Sequence, residues 1–306
     1  MKKMSKSTAA VFLFTALFSS AACSKTNNSN NSNQAAAGKG LVSDFNERIN
    51  SSGTEKSTPA VSASVPTPTK NQELAKIDEV YSKMSNRFKA EIKINDKDEF
   101  LKELHKVLES EKQYTSEDLP LYFLIDKKHP VGADYEPKNL TPLVKNDDYV
   151  INKDTLSLRP DAAEALAVLG RAAKKDGITL DVSSSYRSYA YQDRLFNYWV
   201  SVDGLEEAER ESARPGTSQH QLGVAVDFGS IDDNYDKTPG GRWMYAHGAE
   251  YGWSLSFPKE YEDVTGYRWE CWHFRFIGVE ACRFQKKWFN DVQQYMLEFI
   301  DCWKNS

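Results

Sequence analysis

Three short segments of this 306-residue chain concentrate polar and titratable side chains within otherwise apolar surroundings. They are Ser183-Ser184-Ser185-Tyr186-Arg187-Ser188, the stretch from Arg214 to Asp227, and Trp269-Glu270-Cys271-Trp272-His273-Phe274-Arg275-Phe276. Asp227 and His273 each lie inside an apolar, strand-like run, where a carboxylate is costly unless it is paired or bound to a cation. His220, Asp227 and His273 could supply three ligands to a zinc ion and leave the fourth position to water, with Glu270 as a base. The same residues could equally form a structural hydrogen-bonded His–Asp pair, and the helical zinc motif His-Glu-x-x-His is absent.

The elements that must position these groups read as helices and short strands without regular βαβ alternation, an α+β pattern. Pro160 suits a first helical position for Asp161–Asp176, with Gly177 as the stop. Ile178–Ser183 reads as a strand, Tyr189–Val202 as a helix, Val224–Phe228 and Trp269–Phe276 as strands, and Phe284–Trp303 as a closing helix. In a regular strand residues 270 and 273 would face opposite sides, so Glu270 must stand at the strand's start or on a bulge to reach the same ion as His273. Upstream, Leu74, Ile77, Tyr81, Met84 and Phe88 recur at helical spacing. Asp96-x-x-Glu99 then suggests a capping box before Leu101, Leu104 and Leu108. Residues 71–118 are read as a helical lead-in and 119–306 as the main domain. His105, on the apolar face of the second helix, is read as packed or at a rim, His129 as an exposed loop residue, and His247 as structural or at a pocket rim.

The N-terminus reads as an address. Lys2, Lys3 and Lys6 precede the apolar run Ala9–Phe18 and the small residues Ser19–Ala22, so 1–22 is an export signal. Ser20-Ala21-Ala22-Cys23 resembles a bacterial lipobox, with Ser20 where Leu is preferred, and implies lipidation of Cys23. Residues 23–70 read as a disordered linker: of the 47 from 24 to 70, 22 are Ser, Thr, Asn or Gln, too few apolar groups to offset ordering entropy. A flexible chain of that length spans roughly 35–40 Å. The expected location is outside the cell, anchored by lipid to a bacterial membrane and facing the periplasm or cell wall. Three cysteines remain beyond Cys23; a Cys282–Cys302 bridge and three free thiols are both compatible with their spacing.

Ser218-x-His220-x-x-Gly223-x-Ala225-x-Asp227 followed by Glu270-x-Trp272-His273 resembles the signature of the VanY-type D-alanyl-D-alanine carboxypeptidases, zinc peptidases of the hedgehog/D,D-peptidase fold. Further matching segments, in order over roughly 119–300, include Leu124-Ile125-Asp126-Lys127, Tyr135-x-Pro137, Ser185-Tyr186-Arg187-Ser188 with Tyr191-Gln192, and Tyr251-Gly252-Trp253. The resemblance implies a small, mostly antiparallel sheet with flanking helices. It implies Zn²⁺ on His220, Asp227 and His273, Glu270 as catalytic base, and Arg187, Gln192 and Ser218 at the substrate. The implied substrate is the peptidoglycan stem peptide, losing its C-terminal D-Ala. Arg187 is expected either to act catalytically by stabilising the oxyanion or to clamp the free carboxylate through bidentate hydrogen bonds. An L,D-carboxypeptidase acting on tetrapeptide stems, or a wall-binding lipoprotein with a structural metal, would use the same ligand set. The sequence departs from the family at Cys271, where Pro is common, at Gln219, where Glu is frequent, and at Ser256, where Arg is common. Cys271 is not expected to bind the metal.

Composition sets the outer limits. With 40 % apolar and 12 % aromatic residues the chain can build a sizeable core, which excludes wholesale disorder. A mean hydropathy of −0.62 excludes a polytopic membrane protein. Beyond the signal, 36 basic and 44 acidic residues remain, a net of −8, which argues against nucleic acid as a partner. A monomer is expected.

Overall fold

Local capping sets the first three helices in place. In a computed structural model that describes residues 68–114 and 119–306, Thr69 accepts from Gln72 N–H while the Gln72 side chain accepts from Thr69 N–H, a reciprocal cap. It opens helix α1 (Lys70–Lys83). The expected signal peptide 1–22, the lipidated Cys23 and the linker 23–70, save its last three residues, lie outside the described residues. The single periodic run expected from Leu74 to Phe88 is two helices. Met84 turns extended and Ser85 caps a new helix, α2 (Asn86–Glu91), by accepting from Phe88 N–H. Asp96 caps α3 (Lys97–Glu111), which buries Phe100, Leu101, Leu104 and Val107 on one face. His105 lies exposed at the rim, its Nε2 2.8 Å from Glu73.

Two short strands, β1 (Thr141–Pro142) and β3 (Ser157–Leu158), pair antiparallel, and β2 (Val150–Ile151) lies between them in sequence. Helix α4 (Pro160–Lys175) starts on Pro160, and Gly177, at φ +76°, follows its end as the sequence suggests. Then come β4 (Asp181–Ser184), α5 (Tyr189–Asp203), α6 (Leu205–Glu211), β5 (Ala225–Phe228), α7 (Pro239–His247), β6 (Trp253–Leu255), α8 (Glu262–Thr265), β7 (His273–Phe276), α9 (Val279–Trp288) and α10 (Gln293–Asn305). The main sheet has the order β2-β4-β5-β7-β6; β2 runs parallel to β4 and every other pairing is antiparallel. The architecture is therefore α+β with a small, mostly antiparallel sheet flanked by helices.

Two further expected elements differ. Residues 269–272 are turn and irregular backbone, so the strand begins only at His273. The closing helix is two helices, because Asn290 and Asp291 both adopt left-handed φ (52° and 60°) and break the ladder. Phe100 on α3 packs against Phe284 on α9 (5.1 Å between ring centroids) and Phe299 on α10 (5.2 Å). Residues 68–306 form one compact unit, so the lead-in helices share a core with the last two. Burying each such ring contributes about 1.5–3 kcal/mol. Cys271, Cys282 and Cys302 are all free. Among the described residues no helix is long and apolar enough to cross a membrane.

Candidate metal and peptidase site

The central strand pair sets the site. β5 and β7 pair with Asp227 opposite His273, so the two side chains leave the same face. On the other flank Ser184 of β4 pairs with Asp227. His220 arrives from a 3-10 turn, Gln219–Leu222, capped by the Ser218 hydroxyl, which accepts from His220 N–H at 3.3 Å. Gly223 closes that turn at φ +68°, and a Cβ there would lie 3.2–3.3 Å from Leu140, Arg159 and Pro137, so the reversal into β5 needs glycine.

These elements bring His220, Asp227 and His273 together, all buried, with their candidate ligand atoms within 4.8 Å of one another. His220 Nδ1 is 2.7 Å from the Ser185 carbonyl, which can only accept; Nδ1 therefore carries the proton and Nε2 keeps its lone pair. Nε2 stands 3.2 Å from Asp227 Oδ2, and His273 Nδ1 stands 3.0 Å from Asp227 Oδ1. His220 Nε2 and Asp227 Oδ1 are buried without a hydrogen-bond partner. A buried lone pair facing a buried carboxylate oxygen is unfavourable unless a cation lies between them. The donor set, two imidazoles and one carboxylate on converging elements, fits Zn²⁺.

Electrostatics agree with ligand roles. Burial, reinforced by the Arg187 charge, lowers His220 to about 4, so the ring is neutral at physiological pH. Burial alone would raise Asp227, but its contacts with His220, Arg187 and His273 outweigh that and hold it well below the usual range, ionised. Glu270 is pushed well above the ordinary carboxylate range, first by burial and then by the Asp227 charge. It sits in the turn leading into β7, as the geometry of a strand demands, with Oε2 3.6 Å from His273 Nδ1.

Arg187, Ser218 and Glu270 line a cleft of about 250 Å³ that opens over the three ligands, walled by Tyr191, Leu195 and Trp199 of α5. Arg187 ion-pairs with Asp227, and its Nε donates to Ser184 Oγ at 3.0 Å. Gln192, expected at the substrate, does not line this cleft. It is fully buried; its Nε2 donates to Ser212 Oγ and the Ala213 carbonyl, and its Oε1 accepts from Arg187 at 3.5 Å. Its place in the first turn of α5, one residue after cleft-lining Tyr191, turns it inward, so it braces Arg187. Cys271 points elsewhere: its thiol donates to the Asp232 carbonyl at 3.4 Å. His129 pairs with Asp126, and the exposed His247 stands 3.4 Å from Glu250, both away from the ligands. Sequence reasoning did not single out Phe257, whose ring packs on His273 at 4.8 Å, or Ser184 under Arg187. Only the polar run Ser183–Ser185 carried a signal for the latter.

The profile of the family VanY, D-alanyl-D-alanine carboxypeptidase, matches residues 155–279, which hold every residue of this site. A putative carboxypeptidase, YodJ, of Bacillus subtilis (strain 168) is 33 % identical over 166 residues, 52 % of this chain. The match spans 61 % of that relative's length, less than two thirds. The bifunctional D-Ala-D-Ala dipeptidase and carboxypeptidase VanXYC of Enterococcus gallinarum is 28 % identical over 58 % of this chain and 95 % of its own. Among solved structures, the LD-carboxypeptidase LdcB superposes with a TM-score of 0.52 at 31 % identity, covering 58 % of this chain and 84 % of LdcB. With the family match over the residues of the site and the fold shared with LdcB at 31 % identity over 84 % of that chain, the chain belongs to the VanY family of D-alanyl-D-alanine carboxypeptidases.

Proposed function

We propose that this protein is a zinc-dependent carboxypeptidase that removes the C-terminal D-Ala from peptidoglycan stem peptides. The observation that carries the reading is the convergence of His220 Nε2, Asp227 and His273 Nδ1 beside Glu270 at the floor of an open cleft. Zinc on those three side chains would supply Lewis acidity to a water molecule and to the scissile carbonyl. Glu270 takes the proton of the attacking water, and its raised pKa suits a group that must hold that proton before delivering it to the departing amine. The C–N bond breaks, the hydroxyl stays on the acyl carbon, and D-Ala leaves with a neutral amine.

Arg187 supplies selectivity for a chain end. A guanidinium has five N–H donors; three are engaged by Ser184, Gln192 and Asp227, and the side chain keeps 17 % of its exposure at the cleft. The remaining donors suit a terminal carboxylate, which an internal peptide bond lacks. Ser218, on the cleft wall, offers a hydroxyl beside the first ligand.

The likeness to LdcB favours a second reading, an L,D-carboxypeptidase acting on tetrapeptide stems. Mass spectrometry of pentapeptide and tetrapeptide muropeptides after incubation, with and without chelator, separates the two. Loss of one D-Ala from the pentapeptide, abolished by chelator, is the expected result. Zinc binding without turnover on either substrate would leave only a structural metal in a wall-binding protein. We further propose export and a lipid anchor at Cys23, supported by Lys2, Lys3, Lys6 and the apolar run before it.

A further inference from the structure

His273 has different company at its two ring nitrogens. Nδ1 faces Asp227 and Glu270, whereas Nε2 lies 3.1 Å from Gln219 Oε1. That amide oxygen also accepts from Ser256 Oγ at 2.7 Å, and Gln219 Nε2 donates to Gln293 Oε1 at 3.4 Å. Gln293 Nε2 in turn donates to the main-chain carbonyl of Ser254 at 3.3 Å. Gln219, Ser256 and Gln293 are 6, 2 and 1 % exposed, so water does not scramble the chain.

The polarity of this chain is forced from its far end. A main-chain carbonyl can only accept, so the Gln293 amide must turn its NH₂ to Ser254 and its oxygen to Gln219. Reversing Gln219 would set its oxygen against that of Gln293. The Ser256 hydroxyl, 3.3 Å from Gln293 Oε1, could then serve Gln293, but the buried Gln219 oxygen would be left without a hydrogen. Gln219 therefore shows its oxygen to His273 and calls for a donor at Nε2. The competing acceptor is Asp227 Oδ1, 3.0 Å from Nδ1, and an Nδ1–H would leave Nε2 facing the Gln219 oxygen as two acceptors. A neutral imidazole carries one proton, and Nδ1 is left with its lone pair towards the site. Gln219 and Ser256 are also two of the three positions at which the sequence departs from the family pattern, and here they touch. One neutral network absorbs both changes.

We propose that Gln219 is a positioning residue: it locks His273 as the Nε2–H tautomer, so that Nδ1 is the nitrogen offered to the metal, with the polarity set by the Ser254 carbonyl through Gln293. This rests on the zinc reading of the site, but the tautomer is a property of the metal-free chain and can be read separately. Outer partners of this kind are worth roughly 10–100-fold in metal affinity.

The test uses the full chain stripped of metal. Nitrogen-15 NMR of the imidazoles should show His273 as a single Nε2–H tautomer in wild type, and an Nδ1–H tautomer would overturn the proposal without any variant. Gln219→Met keeps the volume but removes the acceptor; it should release the tautomer preference and weaken zinc roughly 10–100-fold by chelator competition. Gln293→Met leaves Gln219 in place but removes its polarity, so it should loosen the tautomer with a smaller loss of affinity. Wild-type affinity with an unchanged tautomer in Gln219→Met would also overturn the proposal. Failure of the peptidase reading would appear instead as absent turnover with the Nε2–H tautomer intact.

Discussion

Replacing Glu270 by Gln removes one proton acceptor and little else. The side chain is nearly isosteric, its carboxyl is 90 % buried, and burial already favours its neutral form, so a neutral amide suits the same space. The ligands His220, Asp227 and His273 are untouched, and zinc content should equal that of wild type. General acid–base catalysis contributes about 10²- to 10⁴-fold, so kcat should fall by that factor, about 3 to 5 kcal/mol of barrier at 1.36 kcal/mol per tenfold. The assay is D-Ala release from a D-Ala-D-Ala-ended stem peptide at saturating zinc, with bound metal measured on the same sample. A second reading comes from the metal-free protein. Because the folded pKa of Glu270 lies above that of the unfolded chain, its stabilisation is complete at low pH and is lost as pH rises through the raised value. Glu270→Gln should abolish that loss on the alkaline side. A variant with wild-type turnover would refute the base assignment, and unchanged pH dependence of the metal-free Tm would refute the buried, raised carboxyl.

His220 predicts the opposite acid-side behaviour. Its folded pKa of about 4 lies below the ordinary 6.5, so the unfolded chain binds more protons between those values and stability falls as pH drops through them, by about 3 kcal/mol in total. The measurement belongs in the metal-free Glu270→Gln chain, where the opposing carboxyl is gone; a flat denaturation midpoint from pH 6.5 to 4 would contradict the buried neutral ring. Arg187→Ala should erase discrimination between a free-acid peptide and its C-terminal amide, seen as convergence of the two kcat/KM values. If the ratio stays at its wild-type value, Arg187 is not the carboxylate clamp.

Much of the site was legible in residue types and spacing because charged groups in apolar strands are rare without a partner. Asp227 and His273 stand out for that reason, and the period of a strand was enough to require an irregular approach for Glu270, which the turn before His273 supplies. Helix α4 was legible from Pro160 and Gly177, whose backbone preferences are local. Asn290 and Asp291 are of the types that best tolerate left-handed φ outside glycine, but the same types also occur inside helices, so the pair alone does not announce a break and the closing helix reads as continuous.

What the chain order alone determined is the inventory: which side chains can ligate, accept a proton or bind a carboxylate, and which elements carry them. What only the tertiary structure decided is direction. Gln192 turns inward because its neighbour on α5 faces the cleft, Cys271 points to Asp232, and Gln219 orients His273 through partners at positions 254, 256 and 293. A linear motif cannot show these contacts, because hydrogen-bond polarity is set by which acceptors meet across the fold, and here the last of them is a main-chain carbonyl present in every residue.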